Sequence, residues 1–66
     1  MREWLVKARK ELNLTQAEVA KFAGISRSAY SNIETGNRDP SVYVAKKIGK
    51  CLGFDWTLFY ENEHSA

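Results

Sequence analysis

Leu14-Thr15-Gln16-Ala17-Glu18-Val19-Ala20-Lys21-Phe22-Ala23-Gly24-Ile25-Ser26-Arg27-Ser28-Ala29-Tyr30-Ser31-Asn32-Ile33-Glu34-Thr35-Gly36 spells out two short helices and the bend between them. Thr15, followed at the third position by Glu18, is a capping box. Its hydroxyl accepts from an orphan amide of the first turn while the carboxylate accepts from the cap amide. Leu14 and Val19 flank that cap at hydrophobic-staple spacing, which fixes the direction from which the chain enters the helix. Gly24 ends the helix, because the residue there needs positive φ and glycine supplies it without strain. Ser26 caps the next helix at once, and Ile25 with Tyr30 repeats the staple. Two caps so close together allow a sharp turn and nothing longer. Ala20, one turn before the bend, is small where crossing helices approach closely.

On the second helix, advancing about 100° per residue, Arg27, Ser28, Ser31, Asn32 and Thr35 fall within an arc of roughly 140°. Ala29, Tyr30 and Ile33 fall on the other side. One face is made for packing, and the other carries donors and acceptors of the kind that read base edges in a duplex. A polar helix face is ordinary by itself and is more often merely solvated. The cap, the small alanine and the turn glycine at matching spacing are what give this one weight.

Residues 14–41 resemble the helix-turn-helix of the Cro and lambda-repressor-like family of bacterial and phage regulators, also called the xenobiotic response element type. The matching residues are Leu14-Thr15-Gln16 at the entry, Ala20, Gly24-Ile25-Ser26 at the turn, Tyr30 and Ile33 as inward positions, Glu34-Thr35-Gly36 at the exit, and Pro40-Ser41 opening the next helix. With the flanking helices the likeness covers about residues 1–54. It implies an all-α, compact bundle of five helices, with the second and third forming the helix-turn-helix. It also implies a double-stranded DNA operator as partner.

Site residues can then be assigned by role. Arg27 suits the two acceptors of guanine, Asn32 suits adenine in the same bidentate manner, and Ser28 is a shorter, less selective reader. Gln16, first in a helix whose free amides carry partial positive charge, suits a phosphate. The resemblance supports that role, since family members use the matching position this way. Ser31 and Thr35 reach either bases or phosphates. Asn37 and Arg38 resemble the family's second backbone clamp, with Ser41 as a further donor. Two structural alternatives stand beside these: Asn37 shaping its turn, and Arg38 pairing with Asp39. By resemblance Arg9 bridges Glu34 and a phosphate, although a purely structural ion pair with Glu34 serves nearly as well.

Length and charge agree with a binding domain. Sixty-six residues do not make a core plus an enclosed catalytic cavity of ordinary size, so an enzyme is not expected. His64 is the single histidine, and no nucleophile, metal set or phosphate loop accompanies it, so neither cofactor nor metal is expected. The net charge of +2 is unevenly spread: residues 1–54 carry ten basic and five acidic side chains, residues 55–66 three acids and no base. Lys7, Lys10, Lys46 and Lys47 read as solvated surface that attracts a polyanion at long range. No apolar run approaches the roughly 20 residues of a membrane span, and the start lacks the apolar core of a secretory signal. The expected location is therefore cytoplasmic. Cys51, among apolar neighbours, reads as a packed thiol.

Around the motif, Leu5, Ala8 and Leu12 recur at helical spacing in a first helix over residues 2–12, with Asn13 as its stop. Ser41 opens a helix whose inner stripe is Val44, Ala45, Ile48 and Leu52, ended by Gly53. Asp55 is placed to cap a last short helix, with Phe54 and Phe59 at staple spacing. Residues 1–60 form one domain on this reading and 61–66 a frayed tail. Phe54, Trp56, Phe59 and Tyr60 are more aromatic surface than so small a bundle is expected to bury, so some are expected to pack under the first helix with Trp4 and the rest to form an exposed patch. They make a homodimer interface the favoured role for this segment, the alternative being that all four complete the core. The expected function is a transcriptional regulator, a repressor of phage or mobile-element type that binds a palindromic operator as a homodimer and blocks or recruits RNA polymerase. The competing class is a protein-interaction module or antitoxin-type autoregulator, in which the aromatic segment captures an antagonist protein. Base-reading donors at the start of the second helix of the motif favour the first.

Overall fold

Five helices succeed one another in the computed structural model, which describes residues 1–61: α1 (Glu3–Glu11), α2 (Gln16–Ala23), α3 (Arg27–Thr35), α4 (Val42–Leu52) and α5 (Leu58–Glu61). No strand occurs among the described residues, so the bundle is all-α as the sequence implies. The tail expected over 61–66 lies outside the described residues from position 62 onward, and Glu61 is the last residue of α5.

The caps explain the helix boundaries. At α2 the Glu18 N–H donates to Thr15 Oγ1 at 3.1 Å and the Thr15 N–H donates to Glu18 Oε1 at 2.8 Å, completing the capping box. Such a cap stabilises a helix by about 1 kcal/mol. Gly24 takes φ 76°, and the Ile25 N–H reaches back to the Ala20 carbonyl at 3.0 Å. This is a six-to-one closure that consumes an otherwise orphaned carbonyl. Ser26 Oγ accepts from the Ala29 N–H at 3.0 Å and Ser41 Oγ from the Val44 N–H at 3.2 Å, so α3 and α4 each start on a serine.

Two local expectations are corrected. Leu12 does not continue the inner stripe of α1: it is 50% exposed, because α1 ends at Glu11 and Asn13, at φ 58°, turns the chain away before the third position of the stripe comes round. Asp55 does not cap α5 directly. Its Oδ1 accepts from the Thr57 N–H at 3.0 Å and from Thr57 Oγ1 at 2.8 Å, shaping the turn ahead of a helix that begins at Leu58.

Leu5, Val19, Tyr30, Ile48 and Phe59 sit at the centre of the core, each no more than 2% exposed. Trp4 of α1 meets Phe54 edge-on at 5.1 Å and Phe59 at 5.2 Å between ring centroids, and Phe54 stands 5.6 Å from Phe59. Edge-to-face pairs of this kind add about 0.5–1.5 kcal/mol each beyond the area they bury. Phe59 therefore belongs to the core of its own chain and cannot line a surface between copies, whereas Phe54, Trp56 and Tyr60 are half-buried. Trp4 packs against both rings, as expected for part of this segment, and Phe59 is the ring that is fully buried beside it.

The seam between α4 and the segment leading to α5 depends on Gly49. A Cβ there would stand 2.8 Å from the Phe54 carbonyl oxygen and 3.2 Å from the Trp56 nitrogen. Backbone meets backbone at this point, with no room for a methyl group. Cys51 lies half-buried two residues further along α4, and burial pushes its thiol pKa up, so it stays a neutral packing group. No helix among the described residues is long and apolar enough to cross a membrane.

Candidate nucleic-acid interface

α3 turns one face inward and one outward. Tyr30, Ile33 and Glu34 are buried; Arg27, Ser28 and Thr35 are exposed, and Ser31 and Asn32 are half-buried on the same outer side. Ser28 and Asn32 lie one turn apart, as do Arg27 and Ser31, so each pair projects together. Among the described residues, the side chains of Arg27, Ser28, Ser31 and Asn32 form no hydrogen bond within the chain, and the first turn of α3 holds no acid. Thr35 differs, since its hydroxyl donates to the Asn32 carbonyl at 3.1 Å.

The inward face carries a polar cluster. Glu34, 2% exposed, accepts from Arg9 Nε at 2.7 Å, Arg9 Nη2 at 3.3 Å, Gln16 Nε2 at 2.9 Å and the Tyr30 hydroxyl at 2.7 Å. Arg9 Nη1 donates in addition to the Leu14 carbonyl at 2.9 Å. One carboxylate thereby ties α1, α2 and α3 together. Burial alone would push the Glu34 pKa up, but the hydrogen bonds from Arg9, Gln16 and Tyr30 outweigh it, and the carboxyl is held below its ordinary range. The same contact acts in reverse on its neighbours. Burial and the Glu34 charge push the Tyr30 phenol far up, and the Glu34 hydrogen bond raises Arg9 against the opposing effect of burial.

Arg9 and Gln16 are thus committed inward, though not wholly. Arg9 uses three of its five N–H donors in the contacts described. Gln16 keeps one side-chain N–H, and the amides of Gln16 and Ala17 in the first turn of α2 have no carbonyl to reach within their own helix. Both residues can hold Glu34 and still offer a donor outward. The role of Gln16 as a brace for Glu34 is absent from the sequence reading, which assigned it to phosphate alone. A signal for such a brace existed: Glu34 falls on the inward arc beside Tyr30 and Ile33, and a carboxylate there requires several donors.

The loop from α3 to α4 starts at Gly36, φ 88°, and presents Asn37, Arg38 and Ser41 as exposed residues. The alternative pairing of Arg38 with Asp39 does not form. Asp39 pairs with Arg2 instead, and the Arg38 side chain makes no bond among the described residues. The Ser41 oxygen serves as the α4 cap, leaving its hydroxyl hydrogen to donate. The Arg38 N–H donates to the Asn32 carbonyl at 3.2 Å, joining the loop to the outer face of α3. Arg2 is the contributor that sequence reasoning missed, since its partners lie more than thirty positions away and no local spacing announces them.

A capped α2, a glycine bend and an α3 with one packed and one open polar face define a helix-turn-helix domain. The chain belongs to the helix-turn-helix family, which it matches over residues 5–59, so the likeness extends past residue 54 into α5. It is 60% identical over 62 residues to the uncharacterized HTH-type transcriptional regulator YqaF of Bacillus subtilis (strain 168), covering 94% of this chain and 82% of that protein. An uncharacterized HTH-type transcriptional regulator of Methanothermobacter thermautotrophicus is 40% identical over 53 residues, covering 80% of this chain and 77% of its own length. A putative HTH-type transcriptional regulatory protein of Saccharolobus islandicus is 38% identical over 56 residues, and there the likeness occupies 83% of this chain but 18% of the relative. No solved structure matches.

Proposed function

We propose that the chain is a sequence-specific, double-stranded DNA-binding transcriptional regulator that lays α3 in the major groove and acts as a homodimer on a palindromic operator. The observation that carries this reading is the open face of α3. The side chains of Arg27, Ser28 and Asn32 lie on the outer face without hydrogen-bond partners among the described residues, while the opposite face of the same helix is buried. Polar donors left unpaired in water at the start of a helix of this motif are the chemistry that base edges select. The relatives named as HTH-type transcriptional regulators support the same class.

In this reading Arg27, Ser28 and Asn32 read bases. Gln16 and Arg9 hold a phosphate at the start of α2, Asn37, Arg38 and Ser41 hold a second one at the loop, and Ser31 and Thr35 add backbone contacts. The likeness to Cro and lambda-repressor-like proteins supports repression in a phage or mobile-element setting, with operator occupancy denying RNA polymerase its site. The partly open aromatics Phe54, Trp56 and Tyr60 are the surface assigned to the second copy. Two reading helices so joined meet successive major grooves about 34 Å apart.

Selection of bound duplexes from a random pool tests the reading. An enriched inverted repeat with half-sites about one helical turn apart is the expected result. A pool that stays random overturns it. Sedimentation of the Trp56→Ala variant at micromolar protein tests the assembly: a folded monomer supports the C-terminal surface, and an undiminished mass removes it.

A further inference from the structure

Arg2 gathers partners from α3, from the α3–α4 loop and from α5. Its side chain is 12% exposed, Nη1 donates to the Ile33 carbonyl at 2.6 Å and the Arg38 carbonyl at 3.2 Å, and Nη2 pairs with Asp39. The backbone N–H of Arg2 donates to the Glu34 carbonyl at 2.7 Å, and its guanidinium lies 5.6 Å over the Phe59 ring. The fork thus spans the end of α3, the loop that follows, and the aromatic core under α5.

We propose that Arg2 is a positioning residue for phosphate binding by the α3–α4 loop: from the inner side of the loop it fixes the backbone at Arg38 and keeps Asp39 from capturing the Arg38 guanidinium. The proposal rests on the DNA-binding reading given above. Asp39 is the one acid in residues 36–41 and adjoins Arg38; left alone it would occupy that guanidinium and repel a phosphate. With Asp39 paired to Arg2, the exposed cation at position 38 stays available. Because the same guanidinium holds the Ile33 and Arg38 carbonyls, the phosphate grip keeps a fixed register to the base-reading helix. A lysine at position 2 concentrates its three donors on one nitrogen and lacks the planar fork whose two ends reach the loop carbonyls and Asp39 separately.

The test measures affinity of the full chain for its selected duplex and for a random duplex across a salt series, below the melting temperature of every variant. Arg38→Ala is expected to weaken both duplexes about tenfold and to lower the salt slope by about one. Arg2→Met, which keeps an unbranched side chain without the guanidinium, is expected to do nearly the same, and adding Arg38→Ala to it is expected to cost little more. Asp39→Asn placed in the Arg2→Met background frees Arg38 and is expected to restore most of the lost affinity, a rescue that a purely structural anchor would not show. Arg2→Lys serves as a second variant, with an intermediate loss. Unchanged binding by Arg2→Met, or losses that add with Arg38→Ala and resist Asp39→Asn, overturns the role of Arg2. No effect of Arg38→Ala itself removes the loop from the DNA interface, and the positioning role falls with it.

Discussion

The two faces of α3 hold polar side chains under opposite conditions. Inside, the Glu34 carboxylate receives donors from Arg9, Gln16 and Tyr30, and no buried side-chain polar atom among the described residues lacks a partner. Outside, Arg27 and Ser28 are exposed and Asn32 is half-buried, and none of the three side chains has a hydrogen-bond partner among the described residues. A buried charge is tolerated only when every lone pair is met, so the inner cluster specifies how three helices are arranged. The outer residues contribute little to folding and are therefore free to be selected for what they bind. Removing a group from one face should alter stability and from the other recognition.

The comparison breaks first, and by the largest margin, at Glu34. Glu34→Ala leaves the half-buried Arg9 charge without its partner and strips Gln16 and Tyr30 of their acceptor, and is expected to cost about 3 kcal/mol in urea denaturation. A loss under 1 kcal/mol would show that the cluster is not what fixes the helices. On the outer face, Arg27→Ala is expected to cost about 1–3 kcal/mol at the selected operator, leaving affinity for random duplex and the urea midpoint nearly unchanged. Equal losses on all sequences would reassign Arg27 to phosphate.

Gln16 sharpens the contrast because it belongs to both sides. Gln16→Ala removes one donor from Glu34 and one from the phosphate site, so a stability loss of about 1 kcal/mol should accompany weaker binding on every duplex with a shallower salt dependence. A loss in one assay without the other would place Gln16 on a single face. The smallest effect is in the pH dependence. Because folding depresses the Glu34 pKa, its ionised form adds stability above its ordinary pKa, near 4.5, and that contribution fades as pH falls below it. Urea midpoints of the wild type and Glu34→Gln should therefore converge as pH is lowered from 6 toward 3, and parallel curves would sever the pKa shift from folding.

Much of the fold was legible because it is local. Thr15, Gly24, Ser26, Ser41 and Gly53 act within a few residues of themselves, and the capping box, both serine caps and the left-handed glycines stand where the spacing puts them. The errors come where distance in sequence is large or a pattern is cut short. Leu12 follows the α1 period but falls after the helix has ended, and Asp55 caps a turn because α5 starts later than its position implies. Trp4 packs with part of the aromatic segment as the sequence suggests, but that Phe59 is fully buried there shows only in the folded chain. The anchoring of the α3–α4 loop by Arg2 has no local motif to announce it. At the candidate interface, chemistry chose Arg27, Ser28 and Asn32 from residue type and helical phase. The inward commitment of Gln16 needed the third dimension.

Gly49 has a consequence for where the C-terminal aromatics stand. Helix α5 is four residues long, too short to hold itself together, and it takes its place through a contact that tolerates no side chain at position 49. The C-terminal turn is thereby fastened to α4 backbone against backbone. Any side chain at position 49 would push that turn off the helix and carry Trp56 and Tyr60 with it, so the placement of the C-terminal aromatics is set by a residue that has no side chain of its own.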